Sequence, residues 1–290
     1  METHTHCGVI GGEATLLIKN KVAVLFDSGF DFCADALAAK IKATLGDIPL
    51  QYIVLTHSHY DHLGGCVGVQ QLYPQAKIVA NPLVRPIVAK ESARNTMREL
   101  NKQAAEAAGW PLIDRIDQLK IDIDLAPGET LETGLGPMLS IATPGHTRCS
   151  TSYYFPEDKT LVLCETTGVI VEQHLVPCFI VSYKSTMESF DRCAALNAER
   201  LVVPHYGGIN GESATRFLKK SRIVTSDAAE MVLDLYHMGK TEDEIFEAYA
   251  KRYYYGLCDT AQPMMAFSLN TRAMMARLIA EDEQQKATQA

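Results

Sequence analysis

The sequence predicts an α/β fold of two sheets followed by a C-terminal helical appendage, and three observations predict it. Apolar strand-like runs alternate with amphipathic helical stretches as far as Val203, turns bearing acids and histidines follow the strand ends, and from Gly211 onward the apolar spacing is helical throughout. A faint internal echo divides the first part in two. Val24-Leu25-Phe26-Asp27 and Val162-Leu163-Cys164-Glu165 both run an apolar strand into an acid and a turn, as a duplicated ββαβα unit would. The expected organisation is a catalytic unit over residues 1–210 and an appendage over residues 211–290.

Taken in order, Val9 to Lys19 and Val22 to Phe26 read as a strand pair turning at Asn20, the second ending in Asp27-Ser28-Gly29. A helix from Phe32 to Thr44 precedes an apolar strand, Tyr52 to Leu55, and a helix from His62 to Tyr73 follows it. After a strand at Lys77 to Ala80 comes a polar helical stretch, Leu83 to Ala108, which ends in Gly109-Trp110-Pro111 and is expected to be an insertion in which Trp110 serves packing. Strands at Lys120 to Leu125, Gly128 to Glu132, Met138 to Thr143, Thr151 to Phe155 and Thr160 to Cys164 are expected to build the second sheet. Ser185 with Glu188 reads as a capping box opening the next helix, and the strand Leu201 to Val203 then presents His205. In the appendage, Ala228, Met231, Val232 and Leu235 form one apolar stripe and Ile245, Phe246, Tyr249 and Tyr253 another, with a Thr241/Glu244 capping box between them. Four helices ending near Glu281 and a disordered tail, Gln284 to Ala290, complete the expectation.

At 290 residues and 47% hydrophobic the chain can bury a full core without covalent staples. A formal charge of −8, with no cluster of Lys and Arg, argues against nucleic acid and anionic membrane as partners. A weak helix-turn-helix cadence around Gly239 is answered by Glu242, Asp243, Glu244 and Glu247 where phosphate contacts need bases. No basic stretch leads into an apolar leader, and no run approaches the length of a bilayer span. The eight cysteines are scattered without a Cys-x-x-Cys pair, so reduced, buried thiols and a cytoplasmic location are expected.

The segment Thr-His-Ser-His-Tyr-Asp-His, residues 56 to 62, packs His57, His59, Asp61 and His62 into six positions directly after an apolar strand. That density of imidazole and carboxylate is a metal-binding loop. His146 in Thr-Pro-Gly-His-Thr, Glu165 and His205 in Val-Pro-His-Tyr follow other expected strands, and the seven side chains are expected to converge on two ions. His4, His6, His174 and His237 lack such companions and are read as structural or surface residues.

These motifs resemble the metallo-β-lactamase fold superfamily, whose mark is His-x-His-x-Asp-His followed in order by a His, a bridging acid and a last His; the resemblance runs from about Val9 to Gly208. It implies a four-layer αββα sandwich of two mixed sheets. It also implies that His57, His59 and His146 hold a first metal, that Asp61, His62 and His205 hold a second, and that Glu165 bridges them. Asp27 matches the family's Asp-x-Gly and is a candidate to support a ligand histidine from behind, with a helix N-cap or turn acid as the alternative. The chain departs from the pattern at the bridge, where the family usually carries Gly-Asp and Cys164-Glu165 stands here. The longer carboxylate is compatible with bridging two ions, with binding one, or with a different metal.

Two divalent ions, zinc or iron with manganese also admissible, would lower the pKa of bound water towards about 7 and make a hydroxide nucleophile. The expected reaction is therefore hydrolysis, with Asp61 steering the nucleophile or shuttling its proton. The helical appendage is similar to those of hydroxyacylglutathione hydrolases and 2-aminobenzoylacetyl-CoA thioesterases, so a thioester or other acyl ester of a small molecule is the favoured substrate. Phosphodiesters and lactones stay open, as does a metal-binding regulator or a diiron redox protein, since His and carboxylate ligands also suit iron. Arg148 and Tyr206, each close to a ligand histidine, are candidates to touch substrate, with a surface ion pair and a packed ring as their alternatives. A homodimer through the C-terminal helices is the one protein partner expected.

Overall fold

The computed structural model describes residues 1–256, 258 and 262–289. Two six-stranded mixed sheets lie face to face. The first has the order β1 (Glu2–Cys7), β2 (Glu13–Lys19), β3 (Val22–Phe26), β4 (Leu50–Val54), β5 (Lys77–Ala80), β6 (Ile123–Asp124), antiparallel up to β3 and parallel beyond it. The second runs β14 (Gly207–Asn210), β13 (Arg200–Val203), β10 (Thr160–Val162), β9 (Thr151–Phe155), β8 (Gly136–Ala142), β7 (Thr130–Thr133), and only its β10–β13 pair is parallel. A small hairpin, β11 (Val169–Val171) with β12 (His174–Val176), stands apart from both.

Because side chains alternate across a strand, consecutive apolar residues serve two different cores. Leu17, Val24, Phe26 and Val54 of the first sheet meet Met138, Tyr153, Phe155 and Val202 of the second in the central layer. Their neighbours Leu16, Leu25 and Ile53 face outward onto Leu37 and Ile41 of α1 (Ala34–Leu45) and Val69 of α3 (Cys66–Leu72). On the other side Leu161, Leu201 and Val203 pack on Cys193 of α6 (Tyr183–Ala195) and Phe217 of α7 (Glu212–His237). The layers therefore run α, β, β, α.

Several expectations are corrected by packing. The strand foreseen from Val9 begins only at Glu13, after a turn in which Gly11 has φ 91°, and the chain before that turn forms β1. The helix foreseen from His62 to Tyr73 is two pieces, α2 (Tyr60–Leu63) and α3, separated at Gly64-Gly65. A Cβ on Gly65 would lie 2.0 Å from the Ser28 carbonyl oxygen, so the break is where the chain must press against the Asp27 turn. The helical insertion is likewise two helices, α4 (Val84–Ala89) and α5 (Glu91–Ala108), and Trp110 beyond it packs its ring on Phe32. The segment around Ile123 is only two residues of strand, and it extends the first sheet beside β5 rather than the second. Ser182, not Ser185, caps α6, its side chain accepting from the Ser185 amide.

The C-terminal region shows three helices among the described residues: α7, α8 (Glu242–Tyr253) and α9 (Met264–Gln289). The Thr241/Glu244 capping box is present. The tail expected to be disordered instead continues α9 to Gln289; Ala290 lies outside the described residues. Both foreseen stripes enter one core, with Ala228, Val232, Ile245, Tyr249 and Tyr253 buried against Phe267, Met274 and Phe179.

Candidate metal centre and its cavity

All the candidate histidines and acids stand on turns that leave strand ends on one edge of the sandwich. The turn after β3 carries Asp27, the turn after β4 carries His57 to His62, and those after β8, β10 and β13 carry His146, Glu165 and His205. Two of these residues, Asp27 and His205, adopt φ of 58°. Left-handed backbone at a non-glycine residue costs free energy and persists only where the surroundings enforce it. At the His146 turn the enforcement is visible. A Cβ on Gly145 would meet Thr186 Oγ1 at 2.0 Å, and the Gly145 carbonyl receives the amides of Ile180 and Val181.

Seven side chains converge into two sets that share one carboxylate: His57, His59, His146 and Glu165, and Asp61, His62, Glu165 and His205, with candidate ligand atoms all within 4.8 Å of one another in each set. The two oxygens of Glu165 divide between the sets. Oε2 lies 2.6 Å from His146 Nε2 and 3.8 Å from His57 Nε2, whereas Oε1 lies 2.5 Å from His205 Nε2 and 3.4 Å from His62 Nε2. His59 Nδ1 is 3.0 Å from His146 Nε2, and Asp61 Oδ2 is 3.7 Å from His62 Nε2.

Partners on the far side of the rings fix which nitrogen faces inward. His62 Nδ1 donates to Asp27 Oδ2 at 2.9 Å, His146 Nδ1 to the Cys178 carbonyl at 2.6 Å, and His205 Nδ1 to Glu13 Oε2 at 3.1 Å. Thr56 relays a fourth: its hydroxyl donates to Asp27 and receives His57 Nδ1 at 3.0 Å. Asp27 thus orients two rings at once, one directly and one through Thr56. Each such bond leaves Nε2 of its ring aimed at the centre.

The electrostatics separate the imidazoles into two kinds. Burial holds His57 well below the ordinary imidazole range and brings His59 down to about 3, so both are neutral. Burial also acts to lower His62 and His205, but the Asp27 charge raises His62 well above its usual value, and hydrogen bonds to Glu13 and Glu165 carry His205 up to about 10. Burial would raise Glu165, yet the His146 charge and its imidazole hydrogen bonds hold it well below the carboxylate range. Asp61 is raised by burial. The Nε2 atoms of His57 and His62 are buried without a hydrogen-bond partner among the described residues. Leaving such atoms unsatisfied is costly. Buried ring nitrogens with carboxylate oxygens a few ångströms away fit divalent cations, which these residues could hold once His62 and His205 give up their second protons.

Residues 7–205 match the family described as the metallo-beta-lactamase superfamily. The chain belongs to that superfamily. Among its relatives in the metallo-beta-lactamase superfamily is the fold-containing protein ST1585 of Sulfurisphaera tokodaii, 28% identical over 59% of this chain and 66% of its own length. A hydroxyacylglutathione hydrolase of Bartonella quintana is 30% identical over 40% of this chain and 34% of its own. The chain therefore spans about a third to two thirds of these relatives. A metallo-beta-lactamase family protein from Thermus thermophilus, TTHA1429, shares the fold at a TM-score of 0.67 and 18% identity, covering 93% of this chain and 89% of that one.

Within this metallo-beta-lactamase fold the centre forms the polar floor of a cavity of about 150 Å³. His59, Asp61, His146, Glu165 and His205 are exposed to it, and its walls come from the β11–β12 hairpin, from Phe179 and from helices α8 and α9. Of the two substrate candidates, Arg148 is exposed on the surface and Tyr206 is 48% exposed, and neither lines this cavity. The remaining histidines stay outside as foreseen: His6 bonds Thr44, His174 meets Tyr255 edge to face and His237 pairs with Asp282. Cys164 is buried behind the centre, its Sγ 3.8 Å from His57 Nδ1, and no disulfide joins any of the described cysteines.

Glu13, Thr56 and the cavity walls went unnoticed in the sequence. Thr56 had a signal, a hydroxyl directly preceding the first motif histidine. Glu13 had none, because an acid after a Gly-Gly turn looks like any surface acid until the His205 turn folds onto it.

Proposed function

We propose that this protein is a metal-dependent hydrolase that cleaves a thioester or other acyl ester of a small molecule. The observation that carries the reading is the division of the Glu165 oxygens between two histidine sets. His57, His59 and His146 with Oε2 would hold one cation, and Asp61, His62 and His205 with Oε1 a second. The nitrogen and oxygen donors suit zinc or iron, and the carboxylates admit manganese. Cations in those positions would supply Lewis acidity and water ionised near neutral pH.

The chain's own residues supply the rest. Asp27, Glu13 and the Cys178 carbonyl fix ring orientation, which in such sites controls ligand basicity. Asp61 and Glu165 are the carboxylates lining the cavity among the described residues; Asp61, not divided between two sets, is placed to accept a proton and return it. The apolar walls exclude water, which strengthens every charge interaction on the floor. Among the described residues the cavity lining offers no Lys or Arg, and burial pushes the lining hydroxyls of Tyr60 and Tyr249 up, so they are weak acids; a thiolate leaves without a strong one. The hydroxyacylglutathione hydrolase relative, whose name denotes an acyl-thioester substrate, leans the same way.

The test is a panel on zinc-loaded and iron-loaded protein: acyl-coenzyme A, acyl-glutathione and acyl-cysteamine thioesters, oxygen esters, lactones and phosphodiesters. The expected result is kcat/KM highest among the thioesters. A phosphodiester or lactone turned over tenfold faster than every thioester would replace this reading with phosphodiesterase or lactonase chemistry on the same floor.

A further inference from the structure

Resting on the acyl-ester reading, we infer that the cavity selects an uncharged, apolar acyl group about the size of a phenyl ring or a six-carbon chain, and that helices α8 and α9 set this limit. The walls above the polar floor are mainly apolar and include Val169, Val176, Phe179, Tyr249, Phe267 and Met274, with Asn270 and Thr271 as polar neighbours in the lining. No Lys or Arg is among the described residues lining the cavity. An acyl chain ending in a carboxylate would lose its water against those walls, away from the floor, with no Lys or Arg beside it to replace the lost solvation. An apolar group pays no such penalty, and a cavity of about 150 Å³ with apolar walls accepts a benzene molecule.

The far wall is rigid. Phe267 is 5% exposed and its ring centroid lies 4.5 Å from that of Tyr254, 6.1 Å from Phe246 and 6.2 Å from Tyr249. Tyr249 in turn packs its ring, tilted, against that of Tyr253 with centroids 4.7 Å apart. Interlocked rings cannot give way without opening voids, so the wall imposes a length limit rather than a graded preference. These rings lie beyond residue 205, where the family match ends, so the selection they impose belongs to the part of the chain outside that match.

The experiment uses the full zinc-loaded chain. Acyl-cysteamine thioesters from acetyl to decanoyl, benzoyl and glutaryl are compared by kcat/KM, and hexanamide, benzamide and succinamate are titrated calorimetrically as uncleaved probes. Each methylene up to hexanoyl is expected to raise kcat/KM about fourfold, the factor for burying one methylene. Longer chains fall off, glutaryl runs at least roughly 100-fold below pentanoyl, and benzamide and hexanamide bind while succinamate does not. Phe267→Ala moves the optimum at least two carbons longer, and Phe267→Leu, which keeps the core filled, moves it by about one. Thioester turnover indifferent to chain length, or glutaryl equal to pentanoyl, overturns the inference and leaves the hydrolase standing. Amide binding with the expected selectivity but no thioester cleavage overturns the thioester reading and leaves the cavity assignment. Neither binding nor cleavage overturns both.

Discussion

Glu165 opens a short 3-10 turn, Glu165–Thr167, immediately after an extended Cys164, and from that position its longer side chain reaches both histidine sets. The sequence left three fates for this carboxylate. A single methylene could not be placed without knowing where the turn begins. Glu165→Gln removes one anionic oxygen from each set, so metal content measured by elemental analysis is expected to fall from two ions per chain towards one, with kcat/KM down by at least about 100-fold. Unchanged content and turnover would remove the shared-carboxylate assignment. Asp27→Asn keeps the shape but weakens the hold on His62 and, through Thr56, on His57; metal affinity is expected to drop about 10- to 100-fold, and the metal-free protein to melt lower because the buried His62 imidazolium loses its partner.

The histidine charges give a pH prediction of definite sign. With His205 carried up to about 10 and His62 also raised, the metal-free protein holds protons on both at pH 7, while ligation requires neutral imidazole. Metal uptake must therefore release protons, and affinity rises with pH through this range. Calorimetric titration in two buffers of different ionisation enthalpy is expected to give different apparent heats at pH 7; identical heats would show that the rings were neutral beforehand.

At the scale of elements, the turns matter more than the helices and strands they join. Gly65 lies where α2 ends and α3 begins, against the Ser28 carbonyl, and no side chain can be inserted without moving either the motif loop or the Asp27 turn. Gly65→Ala is expected to cost about 3 kcal/mol in urea unfolding and to reduce metal binding together with stability. The capping box of α8 is the milder case: Thr241→Ala should cost about 1 kcal/mol, since it frees one amide at a helix start. The Lys240 hydrogen bond, then the Thr241 amide, lower Glu244 to about 2. A depressed carboxylate stabilises the fold above its unfolded value, near 4.5, and that contribution disappears as pH falls through about 2. Glu244→Gln should accordingly lower stability above about pH 4.5, including at pH 7, and leave it unchanged below about pH 2, so that the acid limb of the profile flattens.

At the scale of the molecule, ligand residues separated by up to 148 positions, from His57 to His205, must all be placed by one folding event. Folding of the metal-free chain has to gather the carboxylates and buried imidazoles with no cation between them, so cations that bind only the native state should stabilise it. Zinc at about a thousand times its dissociation constant is expected to add roughly 4 kcal/mol, seen as a higher melting temperature that chelation reverses. A melting temperature indifferent to chelator would mean that the native centre holds no ion under those conditions.

Much of this was legible in the sequence because it is local. Histidines spaced two and five apart after an apolar strand can only make a dense donor loop, and the apolar runs with their helical stripes specify strand and helix through periodicity alone. The metal-ligand candidates could be named because their chemistry is carried by residue type. What only the tertiary structure decided is everything that depends on distance between separated segments. Glu13 meets His205 across 192 positions, Cys178 lends a carbonyl to His146, the strand at Ile123 joins the first sheet because a parallel partner stands free beside β5, and Arg148 faces solvent rather than the cavity. The physical reason is common to all four. Hydrogen bonds and burial are properties of pairs in space, and a sequence states only one member of each pair at a time.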